Sequence, residues 1–309
     1  MTEGHWTFGT LYYKKELILA HFLATYKKPL VALIDGTVMG AGAGLSMYAP
    51  FRIVTENTVF AMPEAAIGLF PDVGASHFLS RLPGFLGEYL GLAGARLDGA
   101  GMIACGLATH LVLSKDLYRL ENALEGLTCS NATSISHLIN KFVYQTNYVK
   151  QDSAYYDRLK IANKCFSRKT VEEILLALEK EVEYGEQQWI IDAINSMKSA
   201  CPASLKIFLR TIREGRTQSL EQCLVREYNI VSHICRGTVS HDFYEGIRAV
   251  VIDKDKKPKW ELSKLELITE EIVDQYFRNV DDDEDNWDPL KLPPRSSNGL
   301  TIEAARSKL

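Results

Sequence analysis

Met39-Gly40-Ala41-Gly42-Ala43-Gly44-Leu45-Ser46, followed by Met62-Pro63-Glu64-Ala65-Ala66-Ile67-Gly68-Leu69-Phe70-Pro71-Asp72-Val73-Gly74, is the most specific pattern in this chain. The small-residue run comes after the strand-like Leu30-Val31-Ala32-Leu33-Ile34 and the turn-forming pair Asp35-Gly36. It therefore reads as a strand, a tight turn and a helix start. Small residues at such a turn let a ligand oxygen approach main-chain amides, and the first turn of any helix has spare N–H donors, which suits an oxyanion hole. The same glycines also suit close packing of a helix on a strand, and the run alone leaves both readings open. It has neither the GxGxxG spacing nor the Lys-Ser or Lys-Thr pair of a P-loop, which argues against a dinucleotide or a nucleoside triphosphate.

Glu64 and Asp72 each directly follow a proline and sit among Met62, Ile67, Leu69 and Phe70. A carboxylate in apolar surroundings holds its proton more tightly and serves as acid, base or nucleophile. By residue type alone Glu64 reads equally as a solvated loop residue. Asp72 reads equally as the N-cap of a helix marked by Phe78, Leu79 and Leu82.

Taken together, these blocks resemble the crotonase (enoyl-CoA hydratase) superfamily and, more closely, its 3-hydroxyisobutyryl-CoA hydrolase branch. The resemblance runs from about Lys14 to Arg295. It rests also on Pro202-Ala203-Ser204-Leu205-Lys206, on Asp242-Phe243-Tyr244-Glu245-Gly246-Ile247-Arg248-Ala249 and on Ile252-Asp253-Lys254-Asp255, all in the family's order. It implies an α/β, crotonase-like (ClpP/crotonase) fold with a mainly helical C-terminal region, and hydrolysis of a short β-hydroxyacyl-CoA thioester. The family's oxyanion donor falls on the Ala41 amide, where glycine is usual; a main-chain donor tolerates alanine. Its catalytic acids fall on Glu64 and Asp72, and substrate-binding positions fall on Glu16, Gly40 and Gly42. Glu16 lies in a helical stretch with Leu17, Ile18, His21 and Phe22, where it also reads as an exposed helix charge. Gly44 stands where hydratases of the superfamily carry a glutamate, which argues for hydrolysis over enoyl-CoA hydration or isomerisation.

Crotonase-like chains begin with a β-rich segment that ends in a motif of the type Phe-Cys-Ala-Gly-Gly-Asp and supplies a second oxyanion N–H. Here Met1-Thr2-Glu3-Gly4-His5-Trp6 leads almost directly into the Glu16 helix. The resemblance therefore implies a core truncated at its N-terminus, completed by another chain or left as a catalytically impaired acyl-CoA-binding isoform. The expected organisation is a core over residues 1–115, a helical region of the same domain over 116–280, and a flexible tail over 281–309. The family usually assembles trimers and this branch is less uniform, so a homo-oligomer stays open.

The chain has 309 residues, 46% of them hydrophobic and 24% charged, which suits one large core. A net charge of −4 opposes a nucleic-acid partner. Cys105, Cys129, Cys165, Cys201, Cys223 and Cys235 are widely spaced and form neither a metal-ligand pattern nor a disulfide framework. No metal or redox cofactor is expected, CoA being part of the substrate. There is no long apolar run for a membrane span and no N-terminal signal or transit pattern.

Thr170-Val171-Glu172-Glu173 and Ser219-Leu220-Glu221-Gln222 read as capping boxes, and Pro202 as the first residue of a helix carrying Leu205, Leu209 and Ile212. The stretch from Ser130 to Asn163 reads as two helices with a polar link. Lys254-Asp255-Lys256-Lys257-Pro258-Lys259-Trp260 reads either as a solvated turn or as cations for the CoA phosphates. Asp281-Asp282-Asp283-Glu284-Asp285 opens a polar tail that reads as disordered. The tail ends in Ser307-Lys308-Leu309, an address for the peroxisomal import receptor when the C-terminus is free. The peroxisome is thus the expected location, with the mitochondrion and cytosol as alternatives.

Overall fold

The run Leu30-Val31-Ala32-Leu33-Ile34 forms strand β1 (Val31–Ile34) in the computed structural model, which describes residues 5–128, 131–144, 153–185, 187–280 and 287–293. Cys129, the acidic run 281–285 and Ser307-Lys308-Leu309 lie outside the described residues. The chain divides into two units, each assembled from segments distant in sequence.

One unit comprises residues 19–61, 96–158 and 293–309. It holds β1, β2 (Thr37–Met39), β3 (Phe51–Val54), β4 (Val59–Ala61), β5 (Leu97–Asp98) and β6 (His110–Leu111). Strands β1, β3 and β6 form a parallel sheet, with Val31 opposite Phe51 and Ile53 opposite His110. Strands β2, β4 and β5 form a second sheet, with Val38 opposite Phe60 in parallel and β5 antiparallel to β4. The sequence suggested a helix start directly after the Asp35-Gly36 turn, and the structure inserts β2 first. Thr37 and Val38 are β-branched, and pairing with β4 buries Val38. The turn is pinned by its own aspartate: Asp35 Oδ1 accepts from Thr55 Oγ1 at 2.6 Å and from Asn57 Nδ2 at 3.2 Å. Phe51, Ile53, Val112, Leu120, Ile135 and Ile139 form this unit's core. The helices Ala132–Asn140 and Ser153–Phe166 occupy the stretch read as a helix pair.

The other unit comprises residues 1–18, 62–95 and 159–292, and is mainly helical. Two of its helices start at caps that the sequence marks. Ser219 Oγ accepts from Gln222 N while Gln222 Oε1 accepts from Ser219 N at 2.8 Å, a complete capping box worth about 1 kcal/mol. At Thr170 the box is displaced by one residue, since Glu173 Oε2 accepts from Lys169 N instead of Thr170 N. Pro202 opens the helix Pro202–Gly215, which buries Leu205, Phe208, Leu209 and Ile212. Phe78, Leu79 and Leu82 do not make one long helix. The turn Ala75–Phe78 passes into a 3-10 turn, Leu79–Arg81, and Leu82 is extended because Pro83 follows it. Near the C-terminal end, Arg248 pairs with Asp253 at 2.6 Å and Asp255 at 2.8 Å, and Trp260 Nε1 donates to Ser199 O. The aspartates and the indole of this segment are thus used within the fold, while Lys254, Lys256, Lys257 and Lys259 stay exposed.

Candidate active site

Glu64 opens the 3-10 turn Glu64–Ile67, immediately after Pro63. The turn is anchored from outside: Cys201 N donates to Ala65 O at 3.0 Å, and Leu69 N donates to Glu64 O at 3.1 Å. This seating drives the Glu64 side chain inward, so that it is only 6% exposed, which removes the reading as a solvated loop residue. Asp72 is 4% exposed and lies at the end of the apolar Leu69-Phe70 segment. It does not cap the following turn, whose N-cap is Gly74 with no side-chain bond.

Glu64 Oε2 and Asp72 Oδ2 are both buried and, among the described residues, have no hydrogen-bond partner. Buried polar atoms are mostly satisfied in folded proteins, and two orphaned carboxylate oxygens, on residues of which one, Glu64, raises the pKa of the other, make this region a candidate site. Burial pushes the Glu64 carboxyl up to about 8, with the Glu16 charge adding to the effect. Asp72 is held well above the ordinary carboxylate range by burial, then by the charges of Glu64, Glu16 and Glu227. Both groups thus hold their protons more tightly than ordinary carboxyls, and a negative charge on Glu64 tightens the proton on Asp72 further, an arrangement that suits a base beside an acid.

Glu16 comes to this cluster from the helix Trp6–Ala24 and is half-buried, with its own carboxyl raised by burial. Tyr12 and Tyr13 accompany it. The Tyr13 phenol is raised by burial and by Asp72, and the exposed Tyr12 phenol is raised by Glu16, burial and Asp72, so both stay protonated donors. Glu16, Glu64 and Asp72, distant in sequence, are therefore brought together in one unit. Among the described residues, no group of three or more His, Cys, Asp or Glu side chains is placed to hold a metal ion.

Gly40, Ala41 and Gly42 belong to the other unit. Gly40 caps the short helix Ala41–Ser46 at φ 51° and ψ −123°, a conformation reserved for glycine. The first intrahelical bond is Gly44 N to Gly40 O at 3.0 Å, which leaves the amides of Ala41 and Gly42 without a helical acceptor. Both residues are exposed.

Sequence reasoning missed Glu227, Tyr12, Tyr13 and Val73. Glu227 lies in the helix Leu220–Arg236 and is fully buried. It accepts from Gly74 N at 2.6 Å, Ser76 N at 3.1 Å and Ser76 Oγ at 2.5 Å. The available signal was its register: Leu224, Glu227, Tyr228 and Val231 share one helical face, and a carboxylate on an apolar face requires a buried partner. Val73 has φ 50°, which costs a β-branched residue about 1–3 kcal/mol and follows no sequence rule.

A family model described as Enoyl-CoA hydratase/isomerase matches residues 1–277. The probable 3-hydroxyisobutyryl-CoA hydrolase 2 of Arabidopsis thaliana is 52% identical over 99% of this chain and 80% of its own length. The 3-hydroxyisobutyryl-CoA hydrolase-like protein 1, mitochondrial, of the same plant is 44% identical over 88% of this chain and 68% of its own. Among solved structures, a carnitinyl-CoA dehydratase from Mycobacterium thermoresistibile superposes with a TM-score of 0.78 at 30% identity, over 92% of this chain and 76% of that one. The crotonase-like fold is thus shown by sequence and structure alike.

Proposed function

We propose, because the chain belongs to the enoyl-CoA hydratase/isomerase family, that it is an acyl-CoA thioester hydrolase converting 3-hydroxyisobutyryl-CoA and water into 3-hydroxyisobutyrate and CoA. The observation that carries the chemistry is the pair of buried carboxyl groups, Glu64 and Asp72, each with an unpartnered oxygen and each holding its proton unusually well. Ionised Glu64 supplies the negative group: as base it takes a proton from the water that attacks the thioester carbonyl, and as nucleophile it attacks that carbonyl itself, forming a mixed anhydride that water then cleaves to the free acid and the Glu64 carboxylate. In either route the carbon–sulfur bond breaks, and protonated Asp72 supplies the proton that the departing CoA thiolate takes up. By the family resemblance, the Ala41 amide receives the negative charge that builds on the carbonyl oxygen, a contribution typically worth ~10²–10³ in rate. Gly40 and Gly42 give that oxygen room, and Glu16 lines the acyl side. No metal or redox cofactor enters this scheme, and CoA enters as part of the substrate. On this reading the reaction belongs to valine breakdown.

Gly44 supports hydrolysis over hydration, since delivery of water across a double bond calls for a second carboxylate at that helix. The test is direct. The purified chain is given 3-hydroxyisobutyryl-CoA and crotonyl-CoA, and thiol release is compared with loss of the enoyl absorbance. Release of CoA from the first with little hydration of the second supports the proposal. Hydration without thiol release favours a hydratase, and tight binding without turnover favours an acyl-CoA-binding chain.

The peroxisome is proposed as the location on the strength of Ser307-Lys308-Leu309, with the mitochondrial address carried in several relatives' names as the rival. An N-terminal fluorescent fusion giving peroxisomal puncta, lost when the triplet is masked, supports it. Mitochondrial or diffuse signal from both fusions overturns it.

A further inference from the structure

The loop that presents Asp72 is held by a residue more than a hundred positions away in sequence, Glu227 on the helix Leu220–Arg236. We infer that Glu227 is the positioning residue for Asp72: its carboxylate grips the Val73-Gly74-Ala75-Ser76 turn from behind and so fixes the direction from which the Asp72 carboxyl enters the site. The inference rests on the role proposed above for Asp72.

The geometry is specific. Both oxygens of Glu227 are committed to this turn, Oε2 to Gly74 N at 2.6 Å and Oε1 to Ser76 N at 3.1 Å and Ser76 Oγ at 2.5 Å. Burial raises the hold of Glu227 on its proton, and the three donors aimed at the carboxyl group oppose that by favouring its ionised, acceptor-only form. Val73, between Asp72 and the first of those amides, sits at φ 50°. A β-branched residue leaves that region unless its surroundings hold it there, and leaving it would rotate Asp72 out of place. The grip on the very next amide is what opposes the rotation.

The amides of Gly74 and Ser76 are met by different oxygens of the fully buried Glu227, and a neutral amide in its place would offer only one acceptor, so the carboxylate is the group this turn calls for. Arg226, the adjacent residue, donates to Ser76 Oγ at 3.0 Å and to Thr211 O at 2.8 Å, and pairs with Glu214 at 3.0 Å, so the network is tied to the helix Pro202–Gly215. The groups facing Asp72 are Glu64 from the 3-10 turn, Glu16, Tyr12 and Tyr13 from the first helix, and Glu227 and Cys235 from the Leu220–Arg236 helix. Those facing Glu227 are Ser76, Gly74, Arg226 and Cys223. Of this set, Glu227 is the carboxylate that both holds the loop and adds negative charge near Asp72. Its removal loosens the loop and weakens the hold of Asp72 on its proton.

The experiment compares the full chain with Glu227→Gln, Glu227→Asp and Asp72→Asn, measuring thioester hydrolysis across pH, KM and melting temperature. Glu227→Gln keeps the size of the group and removes its charge and one acceptor. It is expected to lower kcat by roughly 10- to 100-fold with KM changed less than about threefold, and to shift the fall of activity at high pH to lower pH. Glu227→Asp keeps the charge but is too short to reach Gly74 and Ser76 together; kcat falls while the high-pH limb stays in place. A purely structural staple would lower the folded fraction and leave the kcat of folded enzyme and its pH profile alone. Folded Glu227→Gln with parental kcat and pH profile, beside an inactive Asp72→Asn, overturns this inference and leaves the Asp72 assignment standing. Where Glu227→Gln does not fold, a folded Glu227→Asp with kcat within about twofold of the parent overturns it equally. Full activity of Asp72→Asn overturns the reading of Asp72, and the inference with it.

Discussion

Gly246 lies against the main chain of Ile67 so closely that a Cβ at position 246 would overlap the Ile67 carbonyl. That contact seats the turn carrying Glu64 on the helix Asp242–Ile247, and it explains why a glycine stands at the next-to-last position of that helix, where helical backbone otherwise costs a glycine about 0.5–1 kcal/mol relative to alanine. Gly246→Ala is expected to destabilise the fold by about 1–3 kcal/mol through overpacking and to lower kcat by displacing Glu64. Thermal melting and thioester hydrolysis check both effects. An alanine variant with parental melting temperature and turnover would show that the turn can yield without cost.

Glu64 also has a stability signature whose sign is fixed by its raised pKa. The folded state holds the proton up to about pH 8, whereas the unfolded chain releases it near the ordinary glutamate value. Between those two limits the folded state binds more protons, so stability is lost as pH rises through that window. Glu64→Gln is neutral throughout. Its melting temperature relative to the parent is therefore expected to climb from pH 4 to pH 8 and then to level off. A difference that is constant across this range would mean that Glu64 ionises in the folded protein as it does in water.

Gly42 separates packing from ligand approach. A Cβ there would meet only Val38 Cγ2, at 3.9 Å, so the fold leaves room for alanine, and a helical position favours it. Gly42→Ala is expected to keep or slightly raise the melting temperature while weakening use of the thioester by about 10-fold in kcat/KM, because the methyl group occupies space meant for substrate. Unchanged kinetics would remove Gly42 from the substrate site.

What the sequence made legible is local. The strand at 31–34, the Ser219-Gln222 capping box and the proline start at Pro202 are each set by a few adjacent residues, and each is where the pattern puts it. Glu64 and Asp72 were picked out by prolines and apolar neighbours within a short stretch, but residue type alone left each a structural reading, and the family resemblance supplied the catalytic one. Strand β2 was not, since three residues between a turn and a helix carry too short an alternation to read. The grip of Glu227 on Gly74 was invisible for a different reason: it joins residues separated by about half of the chain, and only the tertiary fold brings them together. The backbone of Val73 follows from that grip and not from the residue's own preference, which is the opposite.

The central claim is that Glu64, ionised beside a protonated Asp72, drives thioester hydrolysis. The most direct measurement is the pH dependence of kcat/KM on 3-hydroxyisobutyryl-CoA for the full chain and for Glu64→Gln. The full chain is expected to gain activity as pH rises, with an apparent pKa near 8, as Glu64 loses its proton. Glu64→Gln is expected to keep its fold and its affinity for the CoA ester, to lose at least ~10²-fold in turnover, and to show no such rise. A Glu64→Gln variant with near-parental turnover and the same rise with pH would contradict the account.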